Sequence, residues 1–252
     1  IRLAAFNRSL LKEILSLTKT KAFLGTACVL VTLFIVVSYV MYLQTLNLIK
    51  EQTAERLRAI AATTALQIDY RDLEPLRFAR DMKRPEYQRV FEILNAVRRE
   101  NPDVKWAYVM RPSMQKGMWE FIVDADSNYN LSFLQDFDQN GKFTEAEENV
   151  FPGLQYDINQ VPEMANALNH PVAENSIYLD QWGTYLSGYA PIFDATQKGI
   201  AIVGFDIGLP KVVDFAYKKF MWSALIVTGL FISLIILIIF STYKKNHWFL
   251  QK

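Results

Sequence analysis

No charged residue occurs between Lys21 and Lys50, and none between Lys219 and Lys244. Inside those gaps, residues 22–43 and 220–240 are almost continuously apolar. A helix needs about 20 apolar residues to cross a hydrocarbon layer ~30 Å thick, and both stretches reach that length. A buried core helix would be shorter and would keep a polar stripe. The sequence therefore predicts two membrane spans with a separate domain between them. The bulk composition of 51% hydrophobic and 21% charged residues conceals this, because it averages unlike segments.

The flanking charges give a direction. Arg2, Arg8, Lys12, Lys19 and Lys21 precede the first span against the one acid Glu13. Lys244, Lys245 and Lys252 follow the second with no acid, while acids outnumber bases between Lys50 and Lys211. Positive ends stay inside, so both termini are expected in the cytoplasm and the acidic middle outside. Trp222 and Trp248 fall where amphipathic rings anchor at membrane interfaces. The first stretch is too long for a cleaved signal peptide, and the chain continues as a charged helix rather than a small-residue cleavage site. The single cysteine, Cys28, lies within that span, so the outer domain is expected to hold together by its own core without a disulfide.

The expected organisation is an amphipathic cytoplasmic helix over 1–21, a first span over 22–46, an outer domain over 47–216, a second span over 217–243 and a cytoplasmic tail over 244–252. The chain begins at Ile1 and stops soon after the second span, which reads as part of something longer. In the outer domain, helical spacing runs on from Leu46 to Ile68, and Asp72-Leu-Glu-Pro75 interrupts it. A second helix is predicted over 85–100, with Pro85 in its first turn. Strand signals follow over 104–110 and 118–123, then a long polar stretch, a short helix over 162–169, and strands over 183–192 and 199–207. Pro210 opens an exit helix. Without βαβ alternation, this order is α+β with an antiparallel sheet.

Three segments resemble the Cache superfamily, the PAS-like extracytoplasmic sensors of bacterial transmembrane receptors. They are Trp119-Glu-Phe-Ile-Val-Asp-Ala-Asp126, Trp182-Gly-Thr-Tyr-Leu-Ser-Gly-Tyr-Ala-Pro-Ile-Phe-Asp194 and Gly199-Ile-Ala-Ile-Val-Gly-Phe-Asp-Ile207. The resemblance implies a long N-terminal helix beside a curved antiparallel sheet, with a small ligand against the concave face. It implies that Asp206 points into that pocket, with Tyr108, Asp124, Trp182, Tyr185 and Ser187 as neighbours. Strand alternation independently groups Tyr185 with Ser187, and Asp206 with Gly204 and Ile202. An acid between Phe205 and Ile207 is costly to bury alone, so Asp206 is expected to have a partner: a ligand ammonium, an arginine or a backbone amide. Trp182 and Tyr189 fit core packing as well as ligand contact. Arg111 could meet a ligand carboxylate, but a surface position is expected.

One further motif stands out. Asp136-Phe-Asp-Gln-Asn-Gly-Lys-Phe-Thr-Glu-Ala-Glu147 fits the EF-hand calcium-loop template at each fixed position. Asp136, Asp138, Asn140, Lys142 (through its carbonyl), Thr144 and Glu147 would be the Ca²⁺ ligands. Its flanks are short for paired helices, and a solvated acidic loop reads the same way. No catalytic motif accompanies it: the only histidines are His170 and His247, and no nucleophile, zinc or phosphate-loop signature is present. No basic patch with interleaved aromatics suggests nucleic acid. Gly229 and Ser233 in the second span would allow close helix packing in a homodimer or a larger membrane assembly. The expected function is a receptor relaying a small-ligand signal to an output domain beyond this chain. The alternative is an accessory subunit of a membrane assembly that uses the outer domain as a binding surface, stabilised by calcium.

Overall fold

The computed structural model describes residues 2–127, 149–159, 161–174, 178–180 and 183–250. Contacts divide the chain into two units: Asn47–Phe215, and Ile1–Leu46 with Ala216–Lys252.

The larger unit opens with the end of helix α1 (Arg2–Ala65). There Ala54, Leu57, Ala61 and Ala65 are buried, a three- and four-residue spacing that lines one helical face. Three of these four are alanine, so the backbone lies close to the sheet beneath it. At Gly188 an added Cβ would meet the backbone of Leu57 and Arg58 at 2.6 Å. Helix α2 (Tyr70–Leu73) is capped by Asp69, whose side chain accepts a hydrogen bond from the Arg71 backbone N–H. Helix α3 (Pro85–Glu100) starts on its proline and buries Tyr87, Val90 and Leu94 on one face.

The strands are β1 (Trp106–Pro112), β2 (Met118–Asp124), β3 (Gln155–Asp157), β4 (Val172–Ala173), β5 (Tyr178–Asp180), β6 (Gly183–Phe193) and β7 (Gly199–Gly208), with the short helix α4 (Pro162–Asn166) before β4. They form one sheet in the order β3-β2-β1-β7-β6-β4, with β5 also paired to β6, and every pairing is antiparallel. The four strands expected from the sequence are β1, β2, β6 and β7. Strand β1 begins two residues later than expected. Strands β3, β4 and β5 add to them; at two or three residues each they are too short to show a period.

Both faces of this sheet are covered, which explains why β7 is buried at every position from Ala201 to Gly208 instead of alternating between buried and exposed. One face meets α1 and α3 through Ala107, Val109, Leu186, Ala190, Val203, Phe205 and Ile207. The other carries Tyr108, Met110, Phe121, Tyr189 and Ile202, packed with Val161, Met164 and Ala167 around α4.

The smaller unit holds the first part of α1 and most of α5 (Leu209–Leu250). Phe34 stacks on Phe231 at 4.7 Å, and Tyr42 meets Phe220 edge-on at 5.4 Å, an order that makes the two helices antiparallel. Stretches within Cys28–Ala65 and Leu209–Ser233 are, by length and composition, apolar enough to cross a membrane. Val29, Leu33, Ile35, Leu225, Ile226 and Leu230 are all exposed.

Candidate functional site

Strand alternation places one polar cluster on the face opposite α1 and α3. Phe205 and Ile207 are fully buried against the helices, so Asp206 between them turns the other way, on the same side as Gly204 and Ile202. By the same rule Tyr185, Ser187 and Tyr189 share that side on β6, and Trp106 and Tyr108 share it on β1.

Register then aligns these residues in rows. Asp206 is paired with Ser187 on one flank and with Trp106 on the other. The Glu174 backbone N–H donates to the Ser187 carbonyl at 2.9 Å, which extends this row to Glu174 at the end of β4. In the adjacent row Gly204 lies between Tyr189 and Tyr108. A Cβ on Gly204 would sit 2.4 Å from the Tyr108 ring, so only glycine leaves room for the ring to lie across the strand. From there the Tyr108 hydroxyl donates to Asp206 Oδ1 at 3.0 Å. Both residues are buried, Asp206 to 4% exposure. Tyr189 makes the corresponding bond from its hydroxyl to the Glu174 carboxyl.

The row thus holds two buried carboxylates, each bonded by a tyrosine from the row beside it. Burial, reinforced by the neighbouring Glu163, pushes the Glu174 carboxyl up to about 7. One Glu174 oxygen (Oε1) and the Trp106 indole N–H are buried without a hydrogen-bond partner among the described residues. At the end of this face Lys105 Nζ lies 3.4 Å from the Tyr185 hydroxyl and over the Trp106 and Tyr185 rings. An open cleft of about 530 Å³ adjoins it, lined by Val104, Lys105, Thr184, Tyr185, Pro210 and Lys211 among others.

Tyr108, Tyr185, Ser187 and Asp206 therefore come together on one face, whereas Arg111 and Asp124 are engaged elsewhere. Arg111 is buried, not at the surface as its sequence position suggested. Its Nε bonds Glu120 at 2.5 Å, and its two terminal nitrogens donate to the carbonyls of Leu73 at 3.1 Å and Leu76 at 2.7 Å. The guanidinium fastens the α2 segment to β1. Asp124 closes the end of β2, where Oδ1 accepts from the Asp126 backbone N–H at 2.8 Å. Burial and the adjacent Asp126 raise its carboxyl well above the usual carboxylate range. Trp182 lies outside the described residues, as do Asp136, Asp138, Asn140, Lys142, Thr144 and Glu147 of the calcium-loop motif.

Sequence reasoning passed over Trp106 and Glu174. Trp106 carried a usable signal, since it lies two residues before Tyr108 and so shares its face. Glu174 carried none, because it follows a strand of two residues whose pairing no pattern reveals.

No protein-family profile matches the chain, and neither does any curated protein. Solved structures do. The chain is similar to the ligand-binding domain of the Campylobacter jejuni chemoreceptor Tlp3, solved in complex with L-valine, with a TM-score of 0.43 and 15% identity over 69% of this chain and 60% of that one. It is also similar to the sensor domain of Escherichia coli DcuS, with a TM-score of 0.40 and 17% identity over 67% of this chain and 97% of that one. The chain thus spans about 60% of the chemoreceptor domain it matches.

Proposed function

We propose that this chain is a two-span membrane receptor whose outer unit, Asn47–Phe215, senses a small extracytoplasmic ligand held against the Tyr108–Asp206 face. The observation that carries this reading is a polar row across the sheet face, with Glu174, Ser187 and Asp206 buried and Trp106 half-buried at its end. Burying two carboxylates costs several kcal/mol unless they gain partners, and packing alone has no use for them. Buried titratable groups gathered on one face of a sheet mark a candidate binding site.

The membrane assignment rests on the smaller unit. Its two apolar helices expose valine, leucine and isoleucine at the described positions between Val29 and Val40 and between Leu225 and Ile236, a surface that water disfavours and lipid accepts. The flanking lysines and arginines favour cytoplasmic ends. Such a receptor signals only by the difference in its affinity for two arrangements of the outer domain. An output domain beyond residue 252 belongs to the same proposal, as does a homodimer. The loop from Asp136 to Glu147 is proposed as an accessory Ca²⁺ site; calorimetry with millimolar Ca²⁺ that shows no heat on the wild type, or equal heat on Glu147→Gln, removes it.

The receptor reading is tested by thermal shift on the full chain in nanodiscs against a broad set of metabolites. A ligand that raises the melting temperature of the wild type and not of Asp206→Asn supports it. A screen with no shift, or a shift that Asp206→Asn retains, rejects it.

A further inference from the structure

We propose that the open cleft beside the start of α5 is an anion site, which holds the phosphate of an organic phosphoester between Lys105 and Lys211. Its volume is about 530 Å³. Neither Tyr108 nor Asp206 lines it, so the site is separate from the face assigned to the small ligand.

Three chain segments meet at the cleft: residues 102–105 before β1, residues 183–185 at the start of β6, and residues 208–211, where β7 passes directly into α5. Strand pairing fixes them to one another. The Lys105 backbone N–H donates to the Asp206 carbonyl at 2.8 Å, and Tyr185 pairs with Gly208. The Lys105 stem runs beside the junction of β7 and α5, where a Cβ added to Gly208 would lie 4.0 Å from Lys105 Cδ. Both lysines therefore border one cavity from segments that the sheet holds in register.

The charge inventory selects an anion. Of the lining residues only Asp103, Lys105 and Lys211 carry charge, and Asp103 is already ion-paired with Arg56 on α1. The first turn of α5 contains no acid, and Asp214, the next acid along it, does not line the cleft. Asp126, whose carboxyl also feels Lys105, is paired with Arg98 at 2.9 Å and is likewise outside the lining. Lys211 is exposed, and its ammonium bonds no described residue. Lys105 contacts the Tyr185 hydroxyl at 3.4 Å and is steadied over the Trp106 and Tyr185 rings. An ammonium has three donors, so both lysines keep donors for a ligand.

Lysine meets phosphate as a compact point charge, and two ammoniums suit a group that spreads its negative charge over several oxygens. Val104, Leu209 and Pro210 make part of the wall apolar, which focuses the field of the ammoniums into the cleft. A cavity of this size takes a whole small molecule rather than one bare ion, so the phosphate is one end of something larger. Lys211 precedes the apolar run from Phe220 by only nine residues, which favours an anionic lipid headgroup. A soluble phosphate ester presents the same group.

The test uses the full chain in nanodiscs and has two arms. In phosphatidylcholine discs, glycerol 3-phosphate is titrated by calorimetry. In the other arm, melting temperatures are compared between phosphatidylcholine discs and discs that also contain phosphatidylglycerol. Binding in the first arm identifies a soluble ester; a rise of several degrees in the second arm alone identifies a lipid headgroup. In whichever arm responds, Lys105→Gln and Lys211→Gln should each weaken binding ten-fold or more, or abolish the rise. Lys211 is exposed, so its replacement leaves the core unaltered. Lys116→Gln removes the same charge from an exposed position beyond the other end of β1 and should respond as wild type. No response in either arm, a Lys105→Gln or Lys211→Gln variant that responds as wild type, or an equal loss in Lys116→Gln overturns the site.

Discussion

Tyr108 on β1 and Asp206 on β7 are joined by a 3.0 Å hydrogen bond that runs diagonally over Gly204, linking two neighbouring strands through side chains as well as backbone. The tyrosine thereby gives a buried acid a partner it could not obtain from water. Tyr108→Phe keeps the ring in place and removes only the donor. It should destabilise the outer domain by about 1–3 kcal/mol, because it leaves the Asp206 carboxylate short of a bond. Thermal melting of the full chain, followed by tryptophan fluorescence, should show a drop of several degrees. Tyr108→Phe combined with Asp206→Asn should recover part of it; a double variant no better than the single one would show that the hydrogen bond is not the cause.

Gly204 and Gly188 are both contact glycines, but their neighbours differ in freedom. Gly204→Ala drives a methyl into the Tyr108 ring, which can tilt aside at the expense of its hydrogen bond to Asp206. A loss of about 1–3 kcal/mol is expected, together with loss of the ligand response. At Gly188 the obstacle is the α1 backbone itself, which cannot move without lifting the helix. Gly188→Ala should therefore be the more damaging of the two, and comparing their melting temperatures checks the order.

Arg111 ties the α2 segment to the sheet by two carbonyls and by Glu120. Arg111→Met preserves most of its length but strands those acceptors in a buried site. Breaking a buried pair by removing one member costs roughly 3–5 kcal/mol. The variant should also expose the backbone over 70–78 to faster amide exchange than wild type, while exchange in β6 and β7 stays near its original rate. Uniform acceleration across the domain would instead indicate that Arg111 supports the whole core.

How much of this was legible in the sequence depends on the range of the interaction that decided it. The period of α3, the unbroken β-branched and apolar run of β7 and the two long apolar stretches declared themselves. The face that Asp206 takes was also accessible, since Phe205 and Ile207 both seek the helix side. What stayed hidden was register. Only pairing across β4, β6, β7 and β1 shows that Glu174, Ser187, Asp206 and Trp106 stand in one row. Arg111 was misjudged for a related reason: its partners, Leu73 and Leu76, are nearly forty residues distant and offer backbone carbonyls, which no residue pattern records.

Glu174 also sets a pH dependence whose sign follows from its environment. Its carboxyl titrates near 7 in the folded domain and near 4.5 when unfolded. Between those values the folded state holds a proton that the unfolded chain has released, so stability falls as pH rises through this window and levels off above about 7. The raised carboxyls of Asp124 and Asp126 act in the same direction, Asp126 with Arg98 2.9 Å away. The ligand-free domain should thus melt higher at pH 5 than at pH 8. Glu174→Gln removes one contributor: it should change little at pH 5, raise the melting temperature at pH 8 by a few degrees, and flatten the profile. If the Glu174→Gln profile keeps the full wild-type slope, the acids at the end of β2 set the pH response, and Glu174 does not take part.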